Sequence, residues 1–153
     1  GLPKESVPGS QNGRGSSEKE GVGSVSVSRI IGIGIDIIEI ARIEKAMQKG
    51  SDRFRHRTFT DREVEYCEKK RKKYQHYAAR FAAKESAMKA LGTGWRKGIG
   101  FSEIELIHGS SGKPELFFHG KAGEILDASG GKEAFVSVSH SHNYAAAMVV
   151  LTG

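Results

Sequence analysis

Two acidic residues, Asp36 and Glu85, occupy positions where acids are costly. Asp36 ends the run Gly32-Ile33-Gly34-Ile35-Asp36, in which Ile31, Ile33 and Ile35 alternate on one side of an extended chain while Gly32, Gly34 and Asp36 share the other. Glu85 ends the segment Arg80-Phe81-Ala82-Ala83-Lys84-Glu85, where Phe81, Glu85 and Met88 recur at helical spacing and put the acid on an apolar stripe. An ionised carboxylate facing an interior needs a cation or several hydrogen bonds. A shared metal ion would satisfy both acids at once. Each also has a plainer reading: Asp36 as the N-cap of a helix opening at Ile37, and Glu85 as the ion-pair partner of Lys84, Lys89 or Arg80. Residue types alone leave these alternatives open.

Other candidate groups are sparser. Val136-Ser137-Val138-Ser139-His140 delivers a histidine at a strand end, where it serves either as a hydrogen-bonded structural residue or as a contact for phosphate or a metal-bound water. The run Lys69-Lys70-Arg71-Lys72-Lys73 reads as a solvated helix face or as a charge cluster for a terminal phosphate. His56, His76, His108, His119 and His142 show no zinc-ligand spacing and receive no role. Gly32-x-Gly34 lacks the third glycine of a dinucleotide fingerprint, since position 37 is isoleucine. Ser137 and Ser139 lack a Gly-x-Ser-x-Gly elbow, and Trp95 reads as core or hinge packing.

The elements that must position these groups follow from length and pattern. The chain of 153 residues suits one domain, and it has a formal charge of +6. Residues 1–28 hold Lys4, Arg14 and Lys19 against Glu5, Glu18 and Glu20, so the excess belongs to 29–153. That balance attracts phosphates and acidic partners. The first 24 or so residues, rich in Gly, Ser and charge, read as a flexible tail, with the domain over 29–153. No apolar run is long enough to span a bilayer, and no signal-peptide core opens the chain, so a soluble, cytoplasmic protein without a membrane partner is expected. The single cysteine, Cys67, excludes an internal disulfide, and with Glu65 and Glu68 beside it the thiol reads as inert.

Along the chain, a strand is expected over Ile30–Ile38 and a helix from Ile37 to about Gly50, with Ile40, Ile43 and Met47 inward. Thr60 and Glu63 form a capping box that opens a helix at Asp61 and carries it into the basic run. A further helix spans about Tyr77–Leu91, closed by Gly92. Ile104–His108 and Glu115–Phe118 read as a hairpin, Lys121–Ala128 as a short helix, and Phe135–Ser139 with Tyr144–Leu151 as a last antiparallel pair. The order implies an α+β domain with helices packed on an antiparallel sheet.

Taken together, Gly32-Ile33-Gly34-Ile35-Asp36-Ile37-Ile38-Glu39, Phe59-Thr60-x-x-Glu63, Ala79 to Ala90, Gly112-Lys113-Pro114 and Val138-Ser139-His140 resemble the holo-acyl-carrier-protein synthase family, small 4'-phosphopantetheinyl transferases. The resemblance covers residues 29 to about 151. It implies transfer of 4'-phosphopantetheine from coenzyme A to a serine hydroxyl of acyl carrier protein, with release of adenosine 3',5'-bisphosphate and a need for Mg2+. It makes Asp36 and Glu85 the metal ligands and turns Lys89 toward the same phosphates. Arg71, Lys72 and Arg80, with His140 nearby, become contacts for coenzyme A. Some relatives carry an acid directly after that histidine; here it is Ser141.

The family meets its acidic carrier with the first helix, which implicates Arg42, Arg53, Phe54 and Arg57. It also commonly forms homotrimers with coenzyme A between subunits. Two other classes compete. A nucleic-acid-binding module built on Lys69–Lys73 lacks an aromatic platform for bases and leaves both buried acids unexplained, so no nucleic-acid partner is expected. A metal-dependent phosphohydrolase would act without a protein acceptor.

Overall fold

The computed structural model describes residues 23–25, 27–93 and 98–153. The tail reading and Trp95 therefore fall largely or wholly outside the described residues. Strand β1 (Ile30–Glu39) leads directly into helix α1 (Ile40–Thr58), followed by α2 (Asp61–Glu68) and α3 (Lys73–Leu91). A single 3-10 turn at Phe101–Glu103 precedes the hairpin of β2 (Ile104–His108) and β3 (Pro114–Phe118). Helix α4 (Gly120–Ala128), β4 (Glu133–His140) and β5 (Tyr144–Thr152) complete the chain.

The fold is α+β, as expected, but its strands form two antiparallel sheets. One has the order β1-β5-β4 and the other is the β2-β3 hairpin. The first strand pairs with the last, Asp36 opposite Ala147, a pairing that local sequence does not reveal. Helix α3 runs through the middle and touches both sheets, α1 and α2. Its composition permits this: Ala78, Ala79, Ala82, Ala83, Ala87 and Ala90 are all buried, so small side chains let neighbours approach from several sides.

Closest of these approaches is that of β1. A Cβ on Gly32 would lie 1.9 Å from the carbonyl oxygen of Ala90, and one on Gly34 would lie 1.8 Å from that of Ser86. The glycines thus make room for the backbone of α3. Ser86 Oγ adds a hydrogen bond of 2.9 Å to the Ala147 carbonyl on β5, fixing the same helix to the next strand.

Several boundaries differ from expectation, among them the start of α1, at Ile40 rather than Ile37, because β1 runs on to Glu39. Helix α1 continues through Gly50 to Thr58, its last turn carrying Arg55, His56 and Arg57 where cations favour the helix dipole. Arg55 also reaches Glu68 at 3.8 Å, tying this added half to α2. Helix α2 opens with the expected capping box but stops at Glu68, so Lys69–Lys72 is a turn rather than a helix face. Helix α3 accordingly starts four residues early, at Lys73, and closes at Gly92 in the left-handed conformation (φ 72°).

Away from β1, Lys84 is buried and donates to Glu63 Oε1 at 2.6 Å and to the Phe101 carbonyl at 3.0 Å, with a further bond to the Ile104 carbonyl. Glu63 also accepts from the Leu106 backbone. One ammonium thereby joins α3, α2 and the start of β2. Breaking such a buried pair costs about 3–5 kcal/mol. Buried Cys67 is inert as read: burial pushes its thiol up to about 12.

The glycine contact gives a direct test. Gly34→Ala should lower unfolding stability by about 1–3 kcal/mol or more, because a methyl group has only helix backbone to displace. Urea denaturation measures it, and an unchanged midpoint would contradict the contact.

Candidate active site

Because α3 lies so close on β1, Asp36 and Glu85 meet. The Asp36 side chain is only 11% exposed. Lys89, one turn along α3 from Glu85, donates to the Ile35 carbonyl at 2.9 Å and to Asp36 Oδ1 at 3.1 Å. The other oxygen, Oδ2, is buried with no hydrogen-bond partner. Glu85 lies near enough to Asp36 for the two carboxyls to interact, and burial first, then the neighbouring Asp36 carboxylate, push its carboxyl up to about 7. Lys89 and Arg42 pull the other way but do not cancel the rise. Glu85 therefore holds its proton more tightly than a free carboxyl, because a second negative charge beside Asp36 is unfavourable in a half-buried site.

Neither plainer reading left open by residue type holds. Asp36 lies within β1, and the residue preceding α1 is Glu39, whose side chain makes no capping bond. Asp36 is therefore not a helix cap. Lys84 and Arg80 turn away from Glu85 toward Glu63, at 2.6 and 4.0 Å, and Lys89 pairs with Asp36. Among the described residues, no lysine or arginine is within ion-pair distance of Glu85.

An orphaned buried oxygen beside a carboxyl that ionises near neutrality suits a divalent cation. Among the described residues no group of three or more His, Cys, Asp or Glu side chains gathers to hold a metal. A cation bound here would draw two carboxylates from the described residues and the rest of its shell from other oxygens. Ser141 does not add to it: its hydroxyl accepts from the Tyr144 backbone at 3.3 Å within the turn between β4 and β5.

The basic candidates lie on a different face. Arg80 and Glu85 are five residues apart on α3, about 140° around the helix. Arg80 is buried, its guanidinium 4.1 Å from the Tyr66 ring centre and its Nη2 3.3 Å from His108 Nδ1. It lines a pocket of about 310 Å3 with Tyr66, Lys69, Lys70 and His108. Lys69 pairs with Glu65 and Lys73 with Glu68, each at 3.2 Å. Exposed Arg71 and Lys72 border a neighbouring pocket with Ile40 and His142. His140 sits at the end of β4, its ring 6.0 Å from that of His76.

The candidates on α1 divide. Arg42 lies close enough to Glu85 to lower its proton affinity. Arg53, Phe54 and Arg57 line a separate cleft of about 850 Å3 between the second half of α1 and α3, floored by Phe81 and Phe101. Those two rings stack with centres 5.0 Å apart.

The family profile described as the 4'-phosphopantetheinyl transferase superfamily matches residues 32–149. A holo-[acyl-carrier-protein] synthase from Geobacter sp. (strain M21) is 50% identical over 122 residues, covering 80% of this chain and 98% of that protein. The chain belongs to this family. Among solved structures, the holo-[acyl-carrier-protein] synthase of Neisseria meningitidis aligns with a TM-score of 0.74 at 34% identity, covering 80% of this chain and 98% of its own. The Helicobacter pylori family member, solved in complex with coenzyme A, aligns at 0.69 and 32% identity, covering 78% and 98%. The family fold is therefore the fold seen here, and the chain is a phosphopantetheinyl transferase.

Sequence reasoning gave no role to Tyr66, His76 and His108, which surround Arg80. Their sequence separations carry no signal, because three different elements bring them together.

Glu85 makes stability depend on pH with a definite sign. Its folded-state affinity for a proton exceeds that of the unfolded chain, so the metal-free protein loses stability as pH rises from about 4.5 through about 7. Glu85→Gln removes this loss. In EDTA the variant should melt above the parent at alkaline pH, with the gap closing at acidic pH; equal melting curves throughout would contradict the raised proton affinity of Glu85.

Proposed function

We propose that this enzyme transfers 4'-phosphopantetheine from coenzyme A to a serine hydroxyl of acyl carrier protein in a Mg2+-dependent reaction. The observation that carries the reading is the Asp36–Glu85 pair, with its buried unpartnered oxygen and its carboxyl poised near neutrality. The serine hydroxyl gives up its proton to water, and its oxygen forms a bond to the phosphorus bearing pantetheine. The bond from that phosphorus to the bridging oxygen breaks, and adenosine 3',5'-bisphosphate leaves with it. Asp36 and Glu85 would hold Mg2+, which would supply charge neutralisation and a seat for the diphosphate, the main needs of phosphoryl transfer.

The chain's own groups supply the rest. The Lys89 ammonium, half-exposed beside Asp36, adds positive charge where phosphate oxygens would sit. Arg71, Lys72, Arg80 and His140 hold the nucleotide end of coenzyme A. Arg42 stands between the carboxylates and the approaching carrier, while Arg53 and Arg57 attract its acidic surface and Phe54 gives an apolar anchor. Residues 29–153 form the transferase domain, and 1–28 a tail outside it. Among the described residues no helix is long and apolar enough to cross a membrane, in keeping with action in the cytoplasm.

A homotrimer belongs to the same proposal. On the β1-β5-β4 sheet the face turned from α3 exposes Ile31, Ile33, Ile35, Ile37, Phe135 and Met148, a continuous apolar surface by strand register. Within one chain, moreover, the carboxylates and Arg80 occupy different faces of α3. Association through the sheet sets the basic face of one protomer against the carboxylates of the next, with coenzyme A between them.

Two experiments test this. Purified protein with coenzyme A and Mg2+ should add phosphopantetheine to apo carrier by mass spectrometry, and Asp36→Asn or Glu85→Gln should slow it by about 100-fold or more while folding persists. No mass gain with any carrier would sink the transferase reading; near-parental rates in either variant would sink the ligand assignment. Ile35→Glu should yield monomers by analytical ultracentrifugation and abolish coenzyme A binding, whereas a parent that is itself monomeric at working concentration would end the trimer proposal.

A further inference from the structure

The face of α3 that carries Arg80 holds a second gathering of titratable groups, distinct from the carboxylates. Tyr66 from α2 is its centre. His108 of β2 stacks on that ring at 5.1 Å and 10°, and His76 of α3 meets its edge at 5.8 Å and 73°. His140 of β4 meets His76 in turn at 6.0 Å. Arg80 and Lys70 stand over Tyr66 at 4.1 and 4.6 Å. The result is an arc of three imidazoles around two fixed cations. Two acids border the cluster: Glu65 pairs with Lys69, and Glu63, whose Oε2 lies 4.0 Å from Arg80 Nε, is already bound by Lys84.

Hydrogen bonding sets the resting state of this arc. A guanidinium can only donate, so the 3.3 Å contact from Arg80 Nη2 makes His108 Nδ1 an acceptor and places the ring proton on Nε2. His108 is therefore neutral in the free protein. Burial, then Arg80 and Lys70, hold both His76 and His108 below the usual imidazole value of 6.5, with His140 and His108 adding to the effect on His76. A neutral imidazole beside two cations is a poor anion ligand until an anion arrives. An incoming phosphate that draws Arg80 off His108 frees Nδ1 to take a proton and reverses the local field, which favours the protonated rings.

We propose that His76 and His108 are anion-binding residues of the coenzyme A site, taking up protons as a phosphate group docks against Arg80 and Lys70. The inference rests on the transferase reading, which supplies the phosphates. It gives the two histidines a function that no zinc-like spacing could reveal. The sign of the linkage follows: if protonation is easier in the complex, affinity is greatest below the free-state titration and falls as pH rises through neutrality. Each pH unit by which the phosphate raises one ring is worth about tenfold in affinity.

The test is a histidine-resolved NMR titration of the full chain, with and without saturating coenzyme A, in Mg2+-containing buffer free of phosphate. His76→Gln and His108→Gln assign the two signals. Both rings should titrate below 6.5 in the free protein and about one pH unit higher in the complex. In calorimetry the double variant should bind coenzyme A several-fold more weakly at mildly acidic pH and lose the pH dependence that the parent shows. Unchanged or lowered ring titrations on binding would overturn the inference, as would variants that weaken binding equally at every pH, the mark of a packing role alone. If the parent binds no coenzyme A at all, the transferase reading fails and this inference goes with it; binding without proton uptake removes the inference alone.

Discussion

The architecture hangs on a helix lying directly against a strand of glycines. With Gly32 and Gly34 opposite the carbonyls of Ala90 and Ser86, α3 comes nearer to β1 than any side chain would allow. That distance brings Glu85 to Asp36 and Lys89 to the end of the same strand. A methyl group in the seam would push the helix outward and separate two carboxyls that depend on being adjacent. Site geometry and fold stability thus share one contact.

The helix is held as firmly on its other side. Lys84, next in sequence to Glu85 but turned away from it, spends its charge on Glu63 and on carbonyls from Phe101 and Ile104. Neighbouring residues of opposite charge therefore serve different ends: Lys84 rivets α3 in place, while Glu85 is left without a cation in ion-pair contact among the described residues. The site retains electrostatic frustration. A buried oxygen without a donor and an acid that resists ionisation are poor for stability, and both are features a bound divalent cation would relieve.

Helix α3 also separates two kinds of chemistry. Carboxylates look toward β1, and Arg80 with its ring of aromatic and imidazole groups looks toward α2 and β2. A substrate bearing both a diphosphate and a distant phosphate has needs on both sides. The isoleucine face of the sheet stands open on the side away from α3.

Much was legible in the chain itself. The alternation that put Gly32, Gly34 and Asp36 on one side, the capping box at Thr60 and Glu63, the hairpin about Gly112, and the left-handed stop at Gly92 are local rules, decided within a few residues by backbone sterics and hydrogen bonding. The order of the motifs sufficed to point to the family. Tertiary structure alone decided what the glycines make room for, that β1 pairs with β5, that α1 passes through Gly50, and that Tyr66, His76 and His108 converge on Arg80. Those are contacts between residues far apart in the chain, and their energy exists only after packing, so no local pattern encodes them.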